Sequence, residues 1–290
     1  MKPPRFKYIA PESPTAVVEF LAEYDGEARC LSGGQSLIPL MNYRLVQPAA
    51  LIDLNRCPGL SYLRRDGDMM IVGPMVRQAT VEHSDLVSAS CPLIAKTMLY
   101  LGSPAIRNRG TIGGTLAHAD RTAELPAVAM ALSAQLVVLG TDGERVVPAD
   151  EFFIGDLATA VGPNEMLREV RFPVSAEGSL SAFVEANNRH HDLALAGVAV
   201  YLERKDGTIS VARIVTHGLG PKPIRLATVE RELIGSDADD EALRHAASFS
   251  NDGVTPESDN YASADYRAAI LPGLVARALQ QAIAGGRKSS

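Results

Sequence analysis

Tryptophan is absent from the 290 residues, and the remaining aromatics are few, at 5% of the chain. Cysteine is scarce: Cys30, Cys57 and Cys91 stand far apart and form no CxxC pair. An odd count at such spacing builds no disulfide framework and starts neither a zinc nor an iron–sulfur site. The three read as free thiols. The six histidines show no HExxH or other ligand spacing, so no metal site is expected.

Basic excess is missing too. A net charge of −6 argues against a nucleic-acid partner, which calls for a basic face. The densest basic spot, Arg287-Lys288, belongs to a tail. Long apolar runs are also lacking. The most apolar window, Leu125 to Gly140, is broken by Ser133 and Gln135 and falls short of the roughly 20 residues that span a bilayer. The N-terminus, "MKPPRFKYIAPESP", has charges and prolines where a secretory signal needs an apolar core. A soluble cytoplasmic protein without a membrane span is expected.

The composition is otherwise that of an ordinary globular protein, with 46% apolar and 21% charged residues. The length allows two domains or three small ones. Ser13-Pro14 reads as a helix start, a capping residue followed by proline in the first turn. Val17, Val18, Leu21 and Tyr24 follow at helical spacing. Ala28 to Leu31 and Ala50 to Leu54 read as short strands, with a helical turn around Leu37 and Leu40. Met69 to Val72 and Leu136 to Leu139 are further strands. The latter pairs with Arg145 to Val147 across "TDGE", where Asp-Gly suits a hairpin turn. Thr122 to Ser133 reads as a helix with Glu124 in its first turn.

Beyond Pro173 the connector "VSAEGS" suggests a domain boundary. Strands at Phe183 to Ala186 and Leu193 to Arg204 follow, and Lys205-Asp206-Gly207 turns the chain into Ile209 to Val215. The C-terminal third is helical at Thr228 to Leu233, Glu241 to Phe249 and Asp265 to Ala284. The fold class is α+β, with an antiparallel sheet and helices to one side.

Two stretches repeat one device: "CLSGGQSLIPLMNYRL" from Cys30 and "RGTIGGTLAHADRTAELP" from Arg109. Each has a glycine pair with hydroxyl residues close by, after a short apolar segment and before a helical turn. Consecutive N–H groups in a Gly-Gly turn can converge into an anion-binding nest, and a following helix N-terminus adds its positive end. Two converging nests suit a diphosphate. The single-loop solutions fail: there is no Walker-type GxxxxGK, and "GLGPKP" at Gly218 to Pro223 lacks the third glycine of the Rossmann fingerprint.

At these residues the chain resembles the medium, flavin-carrying subunits of the molybdenum hydroxylases, the group of xanthine dehydrogenase and bacterial CO dehydrogenase. The resemblance extends to the opening Pro3, Phe6, Tyr8, Pro11, to "LIDLNR" at Leu51 to Arg56, and to "FVEANNRHHDLALAGVAV" from Phe183. It implies a two-part FAD-binding domain of the PCMH type over 1–175, with subdomains of about 1–57 and 58–175. A C-terminal α+β domain over 176–286 would close over the flavin.

The resemblance further implies FAD as cofactor. Ser32, Gly33, Gly34, Gln35, Ser36 and Leu37 correspond to the first diphosphate loop; Thr111, Ile112, Gly113, Gly114 and Thr115 correspond to the second. Glu124 takes the place of a carboxylate facing ribityl or ribose hydroxyls, with Asp120 nearby. His118 and Asp120 have a role near the ribityl chain or in bracing the loop. Leu101 and Leu167 fall where apolar side chains pack against adenine or flavin, and Leu193 lies where the CO-oxidising type has a tyrosine before the ring. Arg121 replaces the proline of relatives that read "AHADP", and Val184 stands where some carry lysine. Asp53 reads as a strand-end cap, and His190-His191-Asp192 as a loop ahead of a strand.

No catalytic acid–base dyad is expected, because the flavin carries the chemistry. The resemblance implies partners that carry the molybdopterin and the 2Fe-2S clusters, for which this chain has no cysteine ligands: a small iron–sulfur subunit and a large molybdopterin subunit, in a dimer of heterotrimers. Electrons would pass from the clusters to FAD and leave to NAD+, a quinone, a dye-like acceptor or oxygen. The rival readings are a stand-alone FAD reductase or oxidase of the same fold and a scaffold that has lost its flavin. Intact glycine pairs in both loops argue against the scaffold.

Overall fold

The computed structural model describes residues 2–189 and 191–286; His190 and the Arg287-Lys288 tail lie outside them. Three hydrophobic cores organise the chain. The first gathers Val17, Val18, Leu21, Ala50 and Ile52 near the N-terminus. Helix Pro14–Glu23 begins as its sequence dictates, with Ser13 Oγ accepting from the Ala16 N–H at 3.1 Å. Strand Ala50–Asp53 lies between Lys7–Ile9 and Ala28–Leu31, and both pairings are parallel. The antiparallel sheet expected from sequence belongs to the C-terminal part, and this N-terminal parallel sheet was not anticipated. Parallel neighbours need crossover connections, and helix Pro14–Glu23 and the 32–49 segment supply them.

The second core fills the middle of the chain. Its five-stranded antiparallel sheet runs in the order Leu63–Asp66, Met69–Val72, Met166–Pro173, Gln135–Gly140, Gly143–Pro148. The Asp142-Gly143 hairpin is where the sequence places it. Helix Glu124–Ala131 is buried almost all round, from Leu125 through Ala131. Such a helix must be covered on every side. The sheet of the third core supplies one cover, through Phe183, Ala199, Tyr201 and Val215.

That last sheet pairs Leu180–Asn187, Ala194–Lys205, Thr208–His217 and Ile224–Arg225 in antiparallel order. Side chains alternate across it. Ala182, Val184, Val198, Val200 and Ile214 face the other way, onto helices Ala227–Leu233, Asp240–Ser248 and Ala264–Gly286. The chain is thus α+β, as its sequence indicated. Among the described residues no helix is long and apolar enough to cross a membrane.

Candidate functional site

Strand Ala28–Leu31 runs into Ser32–Ser36, and helix Leu37–Asn42 follows. Gly34 sits at φ +74°, a conformation that glycine adopts without penalty. Gly33 is required by crowding: a Cβ there would strike the Arg109 carbonyl and lie 2.9 Å from Gly110 Cα. The backbone N–H groups of Gly33, Gly34, Gln35 and Ser36 have no acceptor among the described residues. The first loop is therefore a nest open to a ligand.

The second loop differs from expectation. Thr111 caps helix Ile112–His118, its Oγ1 accepting the Gly114 N–H at 2.9 Å. The Ile112 N–H goes to the Val76 carbonyl at 3.0 Å, that of Gly113 to Pro74 at 3.0 Å, and that of Thr115 to Thr111 at 3.1 Å. All four donors are consumed by the fold. The glycines serve close approach instead. A Cβ on Gly113 would lie 2.5 Å from Pro74 Cβ, and one on Gly114 would lie 2.8 Å from Thr111 Oγ1. One nest is open and the other is spent, so two converging nests are not what this chain builds.

The two loops nevertheless meet. Ser32 Oγ and Thr111 Oγ1 share a hydrogen bond of 2.6 Å. Asn55 Nδ2 donates to the Ser32 carbonyl at 2.9 Å, and Arg77 Nη2 donates to Asn55 Oδ1 at 2.6 Å. Arg77 Nη1 donates to the Arg109 carbonyl. Beside this lattice opens a cleft of about 730 Å³, whose walls include Gly33, Gly34, Gln35, Asp53, Arg77 and Arg109. Burial and the neighbouring Arg109 pull Arg77 below its usual value. Burial pushes Asp53 up, but hydrogen bonds from Tyr8 Oη (2.5 Å) and from Asn55 outweigh it and hold the carboxylate low. Two guanidiniums against one carboxylate leave the cleft cationic.

The other expected residues are spread more widely. Ser36 and Leu37 begin the helix after the first loop, and neither lines the cleft. Thr115 Oγ1 receives Gln78 Nε2 at 2.8 Å. His118 closes its helix half-buried, and burial pushes it down. Asp120 Oδ1 receives both the N–H and the hydroxyl of Thr122, at 2.8 and 2.7 Å, so it braces the loop. Glu124 opens helix Glu124–Ala131, where burial, with Asp120 beside it, raises it to about 7. Leu101 and Leu167 do not line the cleft: both are buried in the middle core, where Leu167 pairs with Val138 across the sheet. Leu193 is half exposed ahead of strand Ala194–Lys205. Val184 faces the C-terminal core, and its neighbour Glu185 faces the joint with helix Glu124–Ala131.

Asn55, Arg77, Arg109, Glu185 and His217 were not singled out by sequence. Asn55 and Glu185 lie inside quoted stretches, "LIDLNR" and "FVEANNRHHDLALAGVAV", and Arg109 directly precedes the second loop; Arg77 and His217 had no visible signal.

Residues 4–175 match the family described as the FAD binding domain in molybdopterin dehydrogenase. Residues 181–282 match the CO dehydrogenase flavoprotein C-terminal domain. The chain belongs to this family of flavin-carrying medium subunits. It is 37% identical to the alpha subunit of the 6-hydroxypseudooxynicotine dehydrogenase complex of Paenarthrobacter nicotinovorans, over 98% of this chain and 96% of the relative. The solved carbon monoxide dehydrogenase of Hydrogenophaga pseudoflava superposes with a TM-score of 0.95 at 38% identity, covering 98% of this chain and 99% of the other. Quinoline 2-oxidoreductase from Pseudomonas putida 86 superposes with a TM-score of 0.94 at 32% identity, covering 99% of each.

The family's cofactor suits this cleft. Open backbone donors, two guanidiniums and a glycine surface without Cβ atoms are the groups that receive an anionic diphosphate.

Proposed function

We propose that this chain is the FAD-carrying electron-transfer subunit of a multi-subunit molybdenum hydroxylase in the cytoplasm. Its domains are taken as 1–175, divided near 57, and 176–286. A small subunit with 2Fe-2S clusters delivers electrons, a large molybdopterin subunit oxidises the substrate, and the complex is a dimer of heterotrimers. FAD, when bound, accepts electrons from one carrier and passes them to an external acceptor such as NAD+ or a quinone.

The observation that carries this reading is the 2.6 Å bond between Ser32 and Thr111, which locks the two glycine loops beside the cleft. On this reading the open N–H groups of Gly33 to Gln35 hold the diphosphate, with Ser36 and Leu37 behind them, and Arg77 and Arg109 neutralise it. Gly113 and Gly114 let the second loop pack closely on Pro74 and Ser32 beside the first, with Ile112 and Thr115 supporting the loop. His118, Asp120 and Glu124 lie along the path toward the ribityl chain, and Leu193 lies at the ring end.

The test is an absorbance spectrum of the purified chain, followed by identification of the flavin released on acid precipitation. Oxidised-flavin bands and one FAD per chain are expected. A chain that stays colourless, both with added FAD and when co-expressed with its partner subunits, overturns the reading. A monomer that turns over NADH with a dye, unaided, returns the choice to a stand-alone reductase.

A further inference from the structure

Between Ser32 and Gln35 the first loop is lopsided in its hydrogen bonding. Each of its first three carbonyls has a donor. The Ser32 carbonyl accepts Asn55 Nδ2 at 2.9 Å, that of Gly33 accepts Gln35 Nε2 at 3.2 Å, and that of Gly34 accepts the Ile38 N–H at 3.1 Å. The N–H groups of Gly33, Gly34 and Gln35 belong to the same peptide units and have no acceptor among the described residues. A peptide unit is rigid and trans, so its C=O and its N–H point in opposite directions. Fixing the carbonyl on a donor therefore fixes where the N–H is aimed. An anion is drawn to the N–H end and repelled by the carbonyl end, so a loop with occupied carbonyls and vacant N–H groups is set to receive one.

Two of the three tethers are carboxamide side chains, and they differ in how firmly they are held. Gln35 is exposed and reaches back two residues within its own loop. Asn55 is tied at both polar atoms of its side chain. Its Nδ2 donates to Asp53 Oδ1 at 2.6 Å as well as to Ser32, and its Oδ1 accepts Arg77 Nη2 at 2.6 Å. Only one orientation of the amide fits, because a flip would set its oxygen against the Asp53 carboxylate and the Ser32 carbonyl. Asp53, at the end of strand Ala50–Asp53, is anchored in turn by Tyr8 Oη at 2.5 Å and by the Asn55 N–H at 2.9 Å. Arg77 leads on to the Arg109 carbonyl, ahead of the second loop. Asn55 thus ties the first peptide unit of the open loop to the strands of Tyr8 and Asp53 and to Arg77.

We propose that Asn55, assisted by Gln35, is a positioning residue for the diphosphate: it occupies the Ser32 carbonyl, which would otherwise repel an anion, and fixes the direction of the Gly33 N–H. The inference rests on the reading above that this cleft takes a diphosphate, and it adds two side chains that act through the backbone. The amide is suited to the task. A carboxylate at position 55 would have no donor for the Ser32 carbonyl, and an aliphatic side chain would leave both that carbonyl and Arg77 without a partner. A brace that served the fold alone would cost stability when removed and leave the folded loop's grip on an anion as it was. A positioning residue weakens that grip in protein that is still folded.

Ser32-Gly33 is the one Ser-Gly step in the sequence, so the full chain labelled with carbonyl-13C serine and 15N glycine gives a single correlated NMR signal for that peptide unit. The test is a titration of the flavin-free chain with inorganic diphosphate. In wild type the Gly33 amide proton should move downfield to saturation. Asn55→Leu, similar in size and without polar atoms, should shift the Ser32 carbonyl carbon and raise the half-saturating concentration about tenfold, the scale of one hydrogen bond to a charged group. Gln35→Met should raise it about threefold, in keeping with a longer and exposed bond. Asn55→Leu protein that unfolds cooperatively in urea and saturates at the wild-type concentration overturns the proposal. Should Asn55→Leu fail to fold, Gln35→Met that saturates at the wild-type concentration overturns it. Uptake of FAD separates this proposal from the cofactor reading. Wild type that binds diphosphate but no FAD, with the variants weakened, overturns the cofactor and upholds the positioning role; wild type that binds FAD, with the variants unweakened, does the reverse. A chain that binds neither overturns both.

Discussion

Arg121 grips Asp259 across the joint between the two family-matched segments: its Nη2 donates to Oδ2 at 3.0 Å, and Arg267 Nη2 donates to the same oxygen at 2.7 Å. Arg121 Nη1 also donates to Glu257 Oε2 at 2.8 Å. This is the position at which the family resemblance leads one to expect proline. The departure therefore has a structural role, as a latch from the loop after helix Ile112–His118 onto the segment before helix Ala264–Gly286. Arg121→Ala removes the latch and leaves the backbone bond from the Gly218 N–H to the Arg121 carbonyl in place. Asp259 remains neutralised by Arg267, so the loss is expected to be about 1 kcal/mol, the scale of a partly exposed pair. The urea midpoint should fall without a change in m. An unchanged midpoint would show that the latch contributes nothing.

Asp259 also sets an acid limit. Burial raises it, but the Arg267 hydrogen bond, joined by the N–H groups of Tyr261 and Ala262, outweighs burial and holds the carboxyl at about 2, against 3.8 unperturbed. A folded value below the unfolded one gives stability that is complete above 3.8 and lost as the pH falls toward 2. Melting temperature against pH should bend downward across that window. Asp259→Asn should flatten the bend while lowering stability at neutral pH, because Arg267, without exposed surface, loses its counter-charge. An acid limb of the same depth in Asp259→Asn assigns it to another carboxylate.

Gly33 tests the first loop. A methyl group there meets the Arg109 backbone, which has no room to retreat because Arg77 is bonded to the same carbonyl. Gly33→Ala should push the loops apart, cost about 1–3 kcal/mol as an overpacking change, and release the flavin. Gly285→Ala is the control: nothing lies within 4 Å of its Cβ, and it sits near the end of a helix. It should keep full flavin content. Full flavin content in Gly33→Ala would remove this loop from the diphosphate site.

Much of this architecture is written locally. Ser13-Pro14 starts a helix, Asp142-Gly143 and Asp206-Gly207 turn hairpins, and the two glycine loops are visible by inspection. What escaped is non-local or short. The helices between Gln78 and Arg107 have four to six residues each, too few for a helical period to emerge. Strand Met166–Pro173 sits centrally in its sheet between partners from far along the chain, and no local pattern announces that. Thr111 was legible as a loop hydroxyl, but its use as a helix cap, which spends the Gly114 N–H, depends on where the helix begins. The row in which Glu185, Gly197 and His217 pair across three strands exists only once those strands are in register.

Thr111 and Ser32 supply the last test, because each hydroxyl leans on the other across 2.6 Å. Thr111→Val keeps the shape and removes the oxygen that caps Gly114, a loss of about 1 kcal/mol. Ser32→Ala removes the partner and leaves the Thr111 cap intact, so it should cost less. Ser32 Oγ also contacts Met75 Sδ at 3.1 Å, a weaker acceptor that survives in Thr111→Val. If the shared bond couples the loops, the double variant should cost more than either single but less than their sum, by an interaction energy of about 0.5 kcal/mol. Urea unfolding of the four proteins measures this directly. FAD retention should follow the same order, best in the wild type and worst in the double variant, since either single change frees one loop to drift from the other. Strict additivity in stability, with flavin content untouched, would mean that the loops are held by Asn55 and Arg77 alone and that the hydroxyl pair is incidental.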